Sequence, residues 1–238
     1  MLLKMKDGIL YGPVNSRRLG KSLGINLSPG KQKLCSFNCV YCHYGWTKRL
    51  TTNLTPYANE LPSADDVISA IEGALKSDTE FAYITFSGNG EPTLHPEFPQ
   101  LVDQILRLKN KYRPKVKLGL LSNSTALTID AVDEAVKSID RPFLKLDAGT
   151  EEVFKAINRP AEGVRFDKIV ERLITLNNIS IQTVMIDGNP SNVTDDELSA
   201  YFDLIQKIEP REVHLYSIDR PVPGRDIRLV PPEILKQI

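Results

Sequence analysis

Phe81-Ala-Tyr-Ile-Thr-Phe-Ser-Gly-Asn-Gly-Glu-Pro-Thr-Leu-His-Pro96 is the stretch that decides the fold class. It opens with an apolar run of strand length, closes that run with a Gly/Pro turn, and reaches a proline suited to a first helical position. Leu101, Val102, Ile105 and Leu106 then recur at helical spacing. A second apolar run follows at Val116–Ser122. Strand, turn, helix and strand in this order predict a parallel pair joined by a right-handed crossover.

The same unit repeats in both directions. Candidate strands are Ser22–Leu27, Phe81–Ser87, Val116–Ser122, Phe143–Asp147, Ile179–Ile186 and Glu212–Ile218. Between them run helical stripes. Ser63 and Asp66 resemble a capping box ahead of Val67, Ile68, Ile71, Ala74 and Leu75. Val132, Ala135, Val136 and Ile139 form another stripe, as do Ile169, Val170, Leu173 and Leu176. Thr194 and Glu197 are expected to cap a last helix carrying Leu198, Phe202, Ile205 and Ile208. Six strands fall short of an eight-stranded barrel, which takes about 250 residues. The pattern leaves an open doubly wound sheet or a partial barrel. Either architecture puts its site at the C-terminal ends of the strands. The segments to inspect are Ser87–Thr93, Ser122–Ser124, Lys145–Gly149, Asp187–Asn189 and Ser217–Arg220.

A chain of 238 residues with 41% hydrophobic and 25% charged residues has the makings of one soluble globular domain, expected here over 1–238. Thirty Lys+Arg balance thirty Asp+Glu, which gives no sign of a general nucleic-acid or anionic-membrane binder. The N-terminal Met1–Asn15 lacks an apolar core of signal-peptide length, and no stretch approaches the roughly 20 apolar residues of a spanning helix. The expectation is a cytoplasmic protein without membrane contact. There, clustered cysteines serve metal or redox chemistry more often than structural bridges.

All 3 cysteines fall in Cys35-Ser-Phe-Asn-Cys39-Val-Tyr-Cys42-His43. An odd count cannot close into intrachain disulfides. A C-x3-C-x2-C loop can wrap three thiolates around a compact centre, and three suit a [4Fe–4S] cluster short of the usual fourth protein ligand. That shortfall leaves a coordination position open, as catalytic metals require. Three other readings compete. Zinc would need a histidine as fourth ligand, with His95 or His214 better placed than His43 beside Cys42. Cys39-Val-Tyr-Cys42-His43 also matches a c-type haem attachment, although haem leaves Cys35 unused and requires export. Ordinary buried cysteines are the plainest reading.

The spacing, with an aromatic residue just before the third cysteine, resembles the signature of radical S-adenosylmethionine (radical SAM) enzymes. Gly88, Gly90, Glu91 and Pro92 resemble the G-G-E-P segment that holds the methionine amino group of SAM in that family, with Asn89 between the glycines. The bland alternative is a Gly/Pro turn. Tyr11–Ile25, Cys35–Trp46 and Ser217–Pro223 further resemble a group of iron–sulfur oxidoreductases related to wybutosine-synthesis proteins. The resemblance implies a partial (β/α)6 TIM-like barrel of parallel strands with outer helices. It implies a [4Fe–4S] cluster on Cys35, Cys39 and Cys42, and SAM as cosubstrate. Reductive cleavage would yield methionine and a 5′-deoxyadenosyl radical that abstracts hydrogen. A one-electron reductant such as flavodoxin or ferredoxin is implied as partner.

The remaining site residues come from the strand ends. Ser122 and Asn123 are expected at the carboxylate or ribose of SAM, or else in a simple Asn/Ser turn. Period-two alternation puts Leu144 and Leu146 on one face and Lys145 and Asp147 on the other. The resemblance makes that charged pair a ribose or substrate contact, and the alternative is an internal ion pair. The same alternation aims His214 and Tyr216 inward, toward substrate or adenine, unless His214 is a hydrogen-bonded core residue. Tyr41 and the His43 backbone are expected near the adenine. Arg17 and Arg18 would bind an anionic substrate or lie on the surface. Lys145, Asp147 and His214 are the catalytic candidates. The substrate stays open between a small molecule or nucleic acid, a glycyl-radical enzyme served by an activase, and no substrate at all if the chain only binds metal.

Overall fold

The computed structural model describes residues 2–16, 18–28, 30 and 32–238. In chain order these form β1 (Leu10–Ser16), β2 (Gly20–Ile25), the short strands β3 (Leu34–Cys35) and β4 (Arg49–Leu50), α1 (Ala64–Lys76), β5 (Tyr83–Phe86), α2 (Phe98–Tyr112), β6 (Lys117–Ser122), α3 (Asp130–Lys137), β7 (Arg141–Lys145), α4 (Glu151–Asn158), α5 (Phe166–Thr175), β8 (Ser180–Gly188), α6 (Asp195–Ile208), β9 (Glu212–Ser217), β10 (Ile227–Leu229) and α7 (Pro232–Leu235).

Strands β2, β5, β6, β7, β8 and β9 pair side by side in that order, all parallel, and each overlaps a strand read from the sequence, with ends shifted by up to two residues. Helices fill each crossover, so the architecture is the partial (β/α)6 barrel. β1 runs antiparallel along the outer edge of β2, and β10 antiparallel along the distal end of β8. β1 and β9 do not pair with each other. A groove of about 740 Å³ lies between them, lined by Val14–Ser16 on one side and Glu212–Tyr216 on the other.

The helices pack where their stripes require. Val67, Ile71 and Leu75 of α1 are buried, as are Phe98, Leu101, Val102 and Ile105 of α2. They cover the outward residues of β5 and β6, among them Ile84, Phe86, Leu118 and Leu120. Ser63 caps α1 by accepting from the Asp66 N–H at 3.2 Å. Among the described residues, no helix is long and apolar enough to cross a membrane.

Three expectations need correction. α2 begins at Phe98 with Pro99 in its first turn, so Pro96 precedes the helix rather than opening it. Thr194 stands at the start of α6 without a side-chain cap, because Glu197 is drawn inward to the β7–α4 turn: its carboxylate accepts from Gly149 N–H at 2.5 Å and Thr150 Oγ1 at 2.7 Å. The buried face of α6 therefore carries Glu197, Tyr201 and Ile208, while Phe202 is 38% exposed. Helix α4 has no counterpart in the sequence reading. Thr150 caps it by accepting from Val153 N–H, and Glu151 and Glu152 favour its positive N-terminus.

Candidate active site

Cys35 ends β3, and the loop that runs on to β4 carries Cys39 and Cys42 across the C-terminal ends of the parallel strands. Its backbone is fixed from two sides. The N–H groups of Asn38 and Val40 donate to the carbonyls of Asn158 and Ile157, the last residues of α4, at 2.9 and 3.0 Å. On the other side the Glu91 N–H donates to the Leu34 carbonyl at 3.2 Å. Asn38 Oδ1 accepts from Thr47 N–H, and Thr47 Oγ1 donates to the Phe37 carbonyl, which folds the loop on itself.

Cys35, Cys39 and Cys42 are free thiols lining one cavity of about 200 Å³. The opposite wall comes from the ends of β5 and β6: Ser87, Gly88, Gly90, Glu91, Leu121, Ser122 and Asn123. Lys33, Phe37, Tyr41, Tyr44, Lys145 and Gln182 complete it. Gly88 and Gly90 have φ of +113° and +83°, a region that favours glycine. Asn89 points away from the cavity: its side chain bonds the backbone of Lys6 and Ser28, which ties the N-terminal segment to the β5 turn.

Each sulfur receives its own nitrogen donor. Lys33 Nζ lies 3.1 Å from Cys42 Sγ, Asn158 Nδ2 3.4 Å from Cys39 Sγ, and Asn123 Nδ2 3.6 Å from Cys35 Sγ. Burial pushes the Cys35 thiol up to about 12, with the Lys33 charge opposing and Glu91 adding to the rise. Burial likewise lifts Cys39 to about 11 against the charge of Lys145. Thiols held this high become thiolates when a metal takes the proton's place.

Glu91 is 2% exposed. Its carboxylate accepts from Thr93 N–H and Oγ1 at 3.1 and 2.6 Å and from Asn123 N–H at 2.6 Å. Burial raises its pKa, and these donors hold the rise in check. Asp147, just past β7, is a fully engaged hub. It accepts from Tyr41 Oη, from Asn158 Nδ2 at 2.7 Å and from Val184 N–H at 2.9 Å, and it faces Lys145 Nζ at 3.6 Å. Burial alone would lower the Lys145 pKa, but the negative charge of Asp147, aided by Tyr216 and Cys39, raises it instead. The Lys145 ammonium also sits 5.2 Å from the centre of the Tyr41 ring.

The structure thus brings to one cavity the three cysteines, Tyr41, Gly88, Gly90, Glu91, Ser122, Asn123 and Lys145. Other expected residues lie elsewhere. Asp147 is behind Tyr41 and off the cavity wall. Pro92 is buried behind Glu91, where it opens a short 3-10 turn. His43, His214 and Tyr216 line the neighbouring groove between β1 and β9. His43 faces Asp219 across 3.7 Å, and its carbonyl is taken by the Leu3 N–H at 2.8 Å. His214 pairs with Glu212 at 3.2 Å and meets Phe143 edge-on. Tyr216 carries Arg18 stacked on its ring at 4.7 Å, so Arg18 bridges the groove, while Arg17 lies outside the described residues. At β7 Lys145 reaches the cavity while Leu144 and Leu146 are buried, but Tyr41 screens the Asp147 carboxylate from the cavity. On β9 Val213 and Leu215 line the same groove as His214 and Tyr216, so no alternation separates the two pairs. Lys33, Tyr44, Gln182 and Asn158 join the site without a motif to announce them.

The donor set distinguishes the metal readings. None of the 3 histidines lines the cysteine cavity. His95 is committed to the Pro62 carbonyl and the Glu97 N–H, which removes it as a zinc ligand. Among the described residues no three His, Cys, Asp or Glu side chains converge on a single ion. The thiols instead surround a space. Ligands of a polynuclear cluster bind different irons and need not meet at one point, so three thiols around one cavity fit such a cluster. His43 directed at Asp219 gives no axial haem ligand at the cysteine cavity.

Comparison with known proteins agrees. A model described as the radical SAM superfamily matches residues 31–205. A UPF0026 protein of Helicobacter pylori (strain J99) is 32% identical over 234 residues, which cover 96% of this chain and 72% of that protein. A Brachyspira hyodysenteriae protein named GTPase Obg is 31% identical over 220 residues, 91% of this chain but 31% of the longer protein. The chain therefore spans under a third of that relative. Among solved structures, Streptococcus suis SuiB bound to S-adenosylmethionine superposes with TM-score 0.63 at 15% identity, covering 87% of this chain and 44% of that one. TYW1 with a lysine-pyruvate adduct bound gives 0.58 at 14% identity over 89% of this chain and 70% of that one. At these identities the two structures show a shared fold.

Proposed function

The chain belongs to the radical SAM superfamily, and from that premise we propose that Cys35, Cys39 and Cys42 hold a [4Fe–4S] cluster in the cavity, with SAM bound against Gly88–Glu91 and Ser122–Asn123. Homologues in the superfamily are enzymes, and the family's cofactors are this cluster and SAM. The carrying observation is that all three thiols share one cavity with the glycine-rich end of β5. When bound, these cofactors supply reductive cleavage of SAM to a 5′-deoxyadenosyl radical that abstracts hydrogen from the substrate.

The chain's own residues bind, orient and shield. Gly88 and Gly90 let the backbone approach a ligand where a side chain would block it. Glu91, held in place by Thr93 and Asn123, would accept from the SAM amino group. Ser122 and Asn123 would meet its carboxylate or ribose. Asn123 is itself held by Ser36 at 2.9 Å and by Thr125, which ties the β6 end to the cysteine loop. Phe37, Leu121 and the Tyr41 ring give the cavity an apolar wall that keeps water from a reactive species. Tyr41 would lie near the adenine, fixed by Asp147 from behind. Lys145 reaches the cavity and Tyr216 the groove, so substrate would enter between β1 and β9 and meet Arg18, His214 and Tyr216 first. The electron would come from an external carrier such as flavodoxin or ferredoxin.

The test is anaerobic reconstitution with iron and sulfide, reduction, addition of SAM and detection of 5′-deoxyadenosine. Product that disappears in Cys42→Ala with the fold intact supports the reading. A full cluster that yields none overturns it.

A further inference from the structure

Among the described residues, the lysines with buried or largely buried side chains face carboxylates, with one exception. Lys145 faces Asp147 at 3.6 Å, and Lys109 faces Asp140 at 3.5 Å. Lys33 is 4% exposed. Among the described residues it forms no ion pair with a carboxylate: its ammonium donates to the Gly45 carbonyl at 2.7 Å and to Cys42 Sγ at 3.1 Å. A buried cation without an anion is an arrangement proteins avoid. The carbonyl holds Nζ at a fixed place, so its position does not depend on the sulfur. The anion this position lacks is what cysteine thiolates on an iron–sulfur centre supply.

The donors to the three sulfurs are also unequal. Cys39 and Cys35 receive neutral amide groups, from Asn158 and from Asn123 and the Phe37 N–H. Cys42 is the one of the three whose hydrogen-bond donor is itself charged. A fixed positive charge beside a cluster stabilises the form carrying one more electron, and hydrogen bonds to the sulfurs act in the same direction.

We propose that Lys33 is a positioning residue of the cluster: it holds a fixed charge against Cys42, balances the buried anionic centre and eases its one-electron reduction by an external carrier. The proposal rests on the iron–sulfur reading of the cysteine cavity. No bond forms or breaks in this step. One electron passes from the carrier to the centre, and the ammonium stays in place.

The experiment is a redox titration of reconstituted protein followed by electron paramagnetic resonance, on wild type, Lys33→Met, Lys33→Gln and Lys33→Arg, with iron and sulfide contents and far-UV circular dichroism alongside. Lys33→Met is expected to lower the equilibrium constant for one-electron reduction at least tenfold, which is 59 mV for a one-electron couple. Lys33→Gln should lower it less, and Lys33→Arg should keep it within about threefold, a shift below 30 mV. Cluster loss confined to Met and Gln, with the fold unchanged and Arg loaded, also supports the charge. An unchanged midpoint in loaded Lys33→Met, or loss of the cluster in Lys33→Arg as well, overturns it. Wild type that takes up no iron–sulfur centre defeats the reading of the cavity itself, which is a separate outcome.

Discussion

Gly90 and Leu34 touch backbone to backbone: a Cβ on Gly90 would stand 1.7 Å from the Leu34 carbonyl oxygen. That carbonyl also accepts the Glu91 N–H. The contact joins the turn after β5 to the strand that delivers Cys35, so the two walls of the cavity are spaced by the thickness of a glycine. No side chain can be accommodated without moving one wall from the other.

Gly90→Ala should therefore separate the walls. The left-handed φ of +83° alone costs about 1–3 kcal/mol in a residue with a side chain, and the clash adds to it. Gly163 is the control, since it has a similar φ of +82° and open space around its Cβ position. Urea unfolding should show Gly163→Ala losing only the backbone part. Gly90→Ala should lose more and, once reconstituted, hold less iron. Equal losses in the two variants would show that the contact does not set the cavity.

Asp147 neutralises a lysine that is 14% exposed while its own side chain is fully buried. Removing one partner of such a pair leaves an uncompensated charge, at about 3–5 kcal/mol. Asp147→Asn should destabilise the protein by an amount of this order, read from denaturant midpoints. Lys145→Met added to Asp147→Asn should recover part of it. A double variant no more stable than the single one would mean that Asp147 matters through Tyr41, Asn158 and Val184 instead of through charge.

The barrel was legible because its strands are buried apolar runs bounded by turn residues, and the helices between them carry clear stripes. The cysteines and the Gly88–Glu91 turn were legible because their neighbours in space are neighbours in sequence. What escaped was decided by tertiary contact. Helix α4 is short, and its final carbonyls are satisfied by Asn38 and Val40 of the cysteine loop, a pairing no local pattern shows. Asn158 reaches Cys39 only through that pairing. Alternation placed Asp147 inward correctly, yet nothing in the spacing of 41 and 147 reveals the tyrosine standing between it and the cavity. Lys33 and Cys42 meet only after the loop has closed.

Glu197 illustrates the same ambiguity and can be tested. A glutamate three residues after a threonine can fold back as a cap or reach elsewhere, and here it satisfies Gly149 and Thr150. Hydrogen bonds to a charged group contribute about 1.5–3 kcal/mol. Glu197→Ala should lose an amount of that order, and Glu197→Gln, which keeps an acceptor for the Gly149 N–H, should lose less. A helix-capping role would instead make Thr194→Ala as costly as Glu197→Ala, whereas Thr194→Ala is expected to cost little, because Thr194 makes no side-chain cap.

His95 gives stability a pH dependence that a single substitution isolates. Its Nδ1 accepts the Glu97 N–H at 3.2 Å, so the ring proton sits on Nε2 and points to the Pro62 carbonyl at 3.1 Å. Protonating Nδ1 breaks the first bond. Burial accordingly lowers the His95 pKa, with Glu97 and the Pro62 carbonyl opposing. The folded state then binds fewer protons than the unfolded one below the ordinary histidine pKa of about 6.5. The contribution is complete above that value and is lost as pH falls toward the depressed folded-state pKa. Unfolding free energies of the apoprotein between about pH 7.5 and 5.5 should fall with decreasing pH more steeply for wild type than for His95→Gln. Parallel slopes would mean that His95 titrates alike in both states and that its burial and the Glu97 N–H do not select the neutral ring.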